Sequence, residues 1–150
     1  IASTCGADAD LVLAGALLHD IGKLEAYSWS GAFETTARGA LLGHVALGLL
    51  MLERRVSAPA EPPCSEEELL LVQHLIGSHH GKLEFGATAP PMTLEAEILH
   101  YADDASAKSA SMVSALADAE NFVAGAPLSH RAVWQLDRRR VYRGTSDWGE

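Results

Sequence analysis

Four apolar segments of helical period, each carrying an imidazole or a carboxylate at its end or on its apolar face, constrain this 150-residue chain more than any other feature. Residues 11–18 (Leu11, Leu13, Ala14, Leu17, Leu18) run into His19-Asp20-Ile21-Gly22, and residues 37–56 set Leu41, Leu42, Val45, Leu47, Leu49, Leu50 and Leu52 around His44. Leu69, Leu70, Val72, Leu75 and Ile76 lead to Ser78-His79-His80-Gly81. The segment opening at Thr93 carries His100 and Asp103 three apart, and so on one face. The first two helices are apolar enough all round to be largely buried, and ionisable groups in such surroundings are costly unless paired or bound to a metal. The prediction is an all-α bundle in one domain, residues 1–150.

Asp8 or Asp10 can cap the first helix, and Gly22 ends it, with His19 and Asp20 in its last turn. Residues 25–36 hold Tyr27, Trp29 and Phe33 among Ser and Gly without helical period, a loop with room for a short hairpin around Gly31. The second helix stops before Pro59, and a proline-rich connector leads to Ser65, which forms a capping box with Glu68. Residues 82–92 read as a loop. Thr93 caps a fourth helix that persists to about Asn121, with Glu95 and Glu97 at its positive end. Ser129 is positioned to cap a last short helix through Trp134 and Leu136, and residues 137–142 suit a short terminal strand. No internal repeat or second domain is visible.

Composition narrows the function. A net charge of −9 and a pI near 5.1 argue against holding nucleic acid by general positive charge, although bound divalent ions reverse that locally. Cys5 and Cys64 lack metal or redox spacing and read as free thiols. No run approaches a membrane span and no leader opens the chain, so a soluble, cytoplasmic protein is expected. The chain begins at Ile1 and leads at once into a core helix, which suggests an N-terminally trimmed domain.

His19, Asp20, His44, His79, His80 and Asp103 together make a metal site the leading expectation. Each alone is weak, since a lone buried histidine is more often a hydrogen-bonded core group; the conjunction decides. Imidazole and carboxylate without thiolate favour manganese, iron, cobalt or nickel over structural zinc. Asp20, with two oxygens, is the natural bridge between two ions, an arrangement suited to in-line displacement at phosphorus. Tyr27, Trp29 and Phe33 could stack on a nucleobase, but packing over the helix ends is the favoured role. His74 and His100 read as core histidines or supports for ligands. Arg138, Arg139, Arg140 and Arg143 form the only basic cluster, by default a solvated charged tail, with contact to RNA phosphates as the alternative.

The run Leu17-Leu18-His19-Asp20-Ile21-Gly22-Lys23, followed by Leu41-Leu42-Gly43-His44, Ser78-His79-His80-Gly81-Lys82, Glu95-Ala96-Glu97-Ile98-Leu99-His100-Tyr101-Ala102-Asp103 and Trp134-Gln135-Leu136-Asp137-Arg138-Arg139, resembles the HD-domain phosphohydrolase superfamily. Within it the pattern is most similar to the YhaM-type 3′-to-5′ exoribonucleases, over residues 11 to about 143. The resemblance implies a helical HD bundle in which His19, Asp20 and Asp103 hold one divalent ion while Asp20, His44 and His79 or His80 hold a second, with manganese, cobalt or iron as the metal. It implies hydrolysis of single-stranded RNA, or DNA, to mononucleotides, and an oligomer is compatible with it. Asp20 and Lys23 take the catalytic roles. Lys23 resembles the lysine that touches substrate phosphate, with a helix-capping solvated lysine as the alternative. Lys82, Arg138 and Arg139 are weaker candidates for substrate contact.

Three departures stand out. Members carry a further metal-binding histidine on a helix upstream, which leaves the His19 site one ligand short here; they carry an N-terminal OB-type domain; and they commonly have an Asp where Ser106 stands. Two other functions share the features: an HD-type nucleotide phosphohydrolase or cyclic-dinucleotide phosphodiesterase, and a metal-poor helical module for regulation or assembly.

Overall fold

After a four-residue helix, α1 (Ala2–Cys5), the Asp8 carboxylate accepts hydrogen bonds from the backbone nitrogens of Asp10 and Leu11 and starts α2 (Ala9–Leu18). A side-chain acceptor here satisfies donors that a helix start leaves without partners. The structure is a computed structural model describing residues 1–144, and its backbone divides into two compact units, Ile1–Ala102 and a second beginning at Asp103.

In the first unit a tight turn and α3 (Lys23–Ala26) follow α2, and then an antiparallel hairpin of β1 (Tyr27–Trp29) and β2 (Phe33–Thr35). The hairpin expected around Gly31 is therefore present. Thr36 accepts from the Gly39 nitrogen at 2.9 Å and donates to the Glu25 carbonyl at 2.8 Å, so one hydroxyl starts α4 (Ala37–Val56) and ties it to α3. The capping box of Ser65 and Glu68 starts α5 (Glu66–Ser78) as expected, and a 3-10 turn at Leu83–Phe85 crosses the following loop. Thr93 accepts from the Ala96 nitrogen at 3.1 Å at the start of α6 (Leu94–Ala117). Leu75, Ala96 and Leu99 form a buried cluster against which Leu11 packs, while Leu47 and Ile76 are fully buried between α4 and α5.

Two expectations of burial fail. In α2 only Gly15 is buried, and Leu13 and Leu17 are 57% and 73% exposed. Leu11 and Gly15, four apart, share the edge that meets α5 and α6, whereas Leu13 and Leu17 lie on the other side. In α4 the buried residues are Val45, Leu47, Gly48 and Val56, while Leu41 is 84% exposed. The cause is a break: Gly43 has φ 71° and ψ 159°, a region essentially restricted to glycine, which resets the helical phase between the segment before it and the one after. The expected continuous helix around His44 is two helices joined at the residue just before it.

In the second unit Ala115, Leu116, Leu136 and Val141 make the core, with Met112, Phe122 and Val133 packed on it. The predicted continuation of α6 to Asn121 is a tighter 3-10 turn, Ala119–Asn121. Ser129 does not cap the turn at Trp134–Leu136, which starts from Val133; its hydroxyl instead donates to the Arg131 carbonyl and accepts from the Val141 nitrogen. In place of the terminal strand there are isolated bridges, Leu128 to Tyr142 and Val133 to Arg139. Among the described residues no helix is long and apolar enough to cross a membrane.

Candidate metal centre

His19 and His79 each occupy the cap position that ends a helix, α2 and α5 respectively, so α2 stops at Leu18, short of the last turn predicted to hold His19 and Asp20, and Asp20 stands in the turn beyond it. The last carbonyls of a helix have no intrahelical donor. Each ring turns back on one of them: His19 Nδ1 lies 3.0 Å from the Ala16 oxygen and His79 Nδ1 2.7 Å from the Ile76 oxygen. His80 Nδ1 is 2.6 Å from the Phe85 oxygen in the following loop. A carbonyl only accepts, so Nδ1 carries the proton in all three rings and the Nε2 lone pair is directed elsewhere.

The Nε2 atoms of His19 and His79, together with that of His44, face Asp20. Its Oδ1 is 3.4 Å from His44 Nε2 and 3.9 Å from His79 Nε2; its Oδ2 is 3.4 Å from His19 Nε2 and 2.6 Å from Lys23 Nζ. His80 completes a group with His44 and His79 in which the candidate ligand atoms lie within 4.8 Å of one another. The Asp20 Oδ1, His44 Nε2 and His79 Nε2 atoms are buried and have no hydrogen-bond partner. An unpaired buried polar atom costs about 1–3 kcal/mol, and three converging on one point are hard to reconcile with a purely structural role. The donors, two neutral nitrogens and an anionic oxygen, fit a divalent cation.

The close approach depends on Gly22. A Cβ there would overlap the His44 carbonyl oxygen and come 2.5 Å from the Gly48 nitrogen, so only a glycine lets the turn carrying Asp20 lie against α4. Glu25 reinforces the junction through Arg38 at 3.1 Å and Arg54 at 2.7 Å, both on α4.

Protonation states suit metal binding. Burial pushes the His79 pKa down to about 4, against the opposing hydrogen bond to Ile76, so the ring is neutral near pH 7. Burial lowers His44 as well, with the Asp20 carboxylate resisting. For Asp20, burial alone would raise the pKa, but the hydrogen bond from Lys23 and the fields of His19, Lys23 and His44 prevail and hold it below the usual value.

With this geometry in view, comparison with known proteins is specific. A model of the HD domain matches residues 1–108. The chain belongs to the HD-domain family. It is similar to 3′-5′ exoribonuclease YhaM of Bacillus subtilis, 46% identical over 109 residues, which cover 73% of this chain and 34% of that protein. It is also similar to YhaM of Bacillus licheniformis, 42% identical over 136 residues covering 91% and 41%, and to YhaM of Bacillus pumilus, 38% identical over 138 residues covering 92% and 41%. The chain thus spans 34 to 41% of the length of these relatives. No solved structure gives a significant match.

Of the residues read from the sequence, the HD domain brings together His19, Asp20, Lys23, His44, His79 and His80. His100 supports the cluster from α6, its Nδ1 2.8 Å from the His79 carbonyl, and His74 accepts from the Met92 nitrogen at 2.9 Å. Asp103 stands half-buried on α6, one turn after His100. Lys82 is exposed, 3.7 Å from Glu84 and over the Phe85 ring. In the second unit Arg138, Arg139 and Arg140 are exposed, as a solvated cluster would be, and Arg143 is half-buried; each is held by its own neighbours. Arg138 stacks on Trp134, Arg139 donates to the Leu136 carbonyl, Arg140 to that of Ser129, and Arg143 to that of Leu116. Nor do the hairpin aromatics pack over the helix ends: Trp29 and Phe33 are 67% and 78% exposed. The role of Gly22 was missed because a glycine after a helix reads first as a terminator. The carbonyls that aim the rings have no sequence signal at all.

Proposed function

We propose that this HD domain is the catalytic part of a metal-dependent phosphodiesterase that shortens single-stranded RNA from the 3′ end and releases mononucleotides. The observation that carries the reading is the set of buried, partnerless ligand atoms, Asp20 Oδ1, His44 Nε2 and His79 Nε2, next to the Lys23 ammonium. The likeness to proteins named 3′-5′ exoribonuclease supports the choice of substrate.

Divalent ions, when bound, would supply Lewis acidity and an acidified water. The two faces of Asp20 suit two ions. Oδ1 looks toward His44 and His79, with His80 beside them, and Oδ2 toward His19. Manganese or cobalt, with iron as the third candidate, matches the mixed nitrogen and oxygen donors. His79, neutral near pH 7, offers its lone pair without first losing a proton. Lys23, 48% exposed, can exchange Asp20 Oδ2 for a substrate phosphate and offset its charge.

The test is to supply manganese or cobalt to the purified protein and follow a 3′-labelled single-stranded RNA beside a panel of nucleotides and cyclic dinucleotides. Early release of labelled mononucleotide is expected. RNA left intact in every metal overturns the reading, and hydrolysis confined to the small nucleotides replaces it with another phosphohydrolase.

A further inference from the structure

The hairpin after α3 is a place where this protein gives up apolar burial. Cross-strand pairing sets Tyr27 opposite Thr35 and Trp29 opposite Phe33, so Tyr27, Trp29 and Phe33 share one face while Ser28 and Glu34 take the other. The Trp29 and Phe33 rings meet edge to face at 4.8 Å between centroids, which fixes both although neither is covered. A two-stranded ribbon is marginal by itself. Here its ends are held: the Thr36 nitrogen donates to the Ala26 carbonyl, and Glu25 just before it pairs with Arg38 and Arg54. A rigidly mounted, exposed aromatic face calls for a ligand.

The same side chains, with Lys23 and Leu24, line an open cavity of about 690 Å³. Its volume is within the range of small-molecule sites, and its lining is apolar and aromatic apart from Ser28, whose side chain takes the opposite face of the ribbon, and one cation. That cation belongs to both neighbourhoods. The Lys23 ammonium lines the cavity and is 2.6 Å from Asp20 Oδ2 in the metal cluster. An occupant would therefore have a flat apolar part against Trp29 and Phe33, and an anionic part within reach of Lys23. A nucleotide has that division.

We infer that the aromatic face of the hairpin is the subsite for the base of the nucleotide whose phosphate lies at Lys23 and Asp20. This rests on the phosphodiesterase reading of the cluster. The lining offers stacking surface and few hydrogen-bonding groups, so the subsite takes any base, purines more tightly than pyrimidines because they stack over more area. Sequence-tolerant shortening of a strand follows from such a subsite.

The test uses the indole signals of Trp29 and the other two tryptophans in a nitrogen–proton NMR spectrum of the full chain, with the Trp29 signal assigned by its loss in Trp29→Phe. Adenosine 5′-monophosphate should shift that signal, and ribose 5-phosphate, which lacks the base, should leave it in place. Trp29→Ala should weaken nucleotide binding about tenfold and raise KM for RNA with little change in kcat, while Trp29→Phe keeps affinity within about twofold. Equal shifts from the two ligands, no shift from either, or unchanged affinity in Trp29→Ala each overturn the subsite. So does a Trp29 signal that moves with protein concentration alongside dimer formation, which would make the face a contact between two copies. A nucleotide-specific shift in a chain that hydrolyses no RNA upholds the subsite and overturns only the exoribonuclease reading. Hydrolysis of RNA without that shift does the reverse.

Discussion

Replacing Gly22 with Ala isolates the contact on which the metal cluster depends. Gly22 has φ −64° and ψ −16°, so alanine is conformationally acceptable there and, by backbone entropy alone, would stabilise by about 0.5–1 kcal/mol. Sterics oppose this. The new methyl would overlap the His44 carbonyl oxygen and stand 2.5 Å from the Gly48 nitrogen, both main-chain atoms that no rotamer change can move. Restoring ordinary contact with that oxygen requires the turn and α4 to part by about 1.5 Å. The cost of such overpacking is about 1–3 kcal/mol, which exceeds the entropic gain and lowers Tm by a few degrees. The effect on metal should be larger. Asp20 Oδ1 and His44 Nε2, now 3.4 Å apart, would stand about 4.9 Å apart, whereas two ligands at ordinary bond lengths of about 2.0–2.2 Å span at most about 4.4 Å around one ion. Calorimetric titration with manganese should show at least a tenfold loss of affinity in a protein that still melts cooperatively. Unchanged manganese affinity and an unchanged Tm would refute the argument.

Three further outcomes are expected. In chelator, the stability of the metal-free protein should rise with pH between about 4, the folded value for His79, and 6.5, its ordinary value, because only the unfolded chain binds the proton there. The contribution, up to about 3 kcal/mol, is complete above pH 6.5 and lost as pH falls toward 4; urea titrations across that window check it, and His79→Gln should flatten the slope. Manganese should raise the Tm of the natural protein but not of Asp20→Asn, which keeps the shape and loses the anionic bridge. Thr36→Ala should cost about 1–2 kcal/mol in denaturant unfolding by removing both the cap of α4 and the tie to Glu25, and Thr36→Ser should recover most of it.

Local chemistry was the readable part of the sequence. Asp8, Thr93 and the Ser65–Glu68 box act where their side chains alone predict, because a cap depends on residues within one turn of itself. The ligand set could be read because ionisable groups among leucines need an explanation. Burial was harder, since apolar content says what gains from being covered and not what covers it. Leu13, Leu17 and Leu41 look like core residues in the sequence and stand exposed. The break at Gly43 escaped for a related reason: a single glycine in a helical pattern is usually tolerated, and only its φ of 71° reveals that it divides α4.

The histidines that end α2 and α5 have a consequence for how such a chain can change in length. Each ring is aimed by a carbonyl three residues earlier, so its direction is fixed by the count of residues along its helix. One residue added or removed within α5 would rotate His79 by about 100° about the helix axis. An apolar bundle could absorb that change by repacking, but three converging ligand atoms could not. Insertions should therefore be confined to the connector at residues 57–65 and the loop at residues 82–92, and the two helices should keep their lengths wherever the cluster is kept.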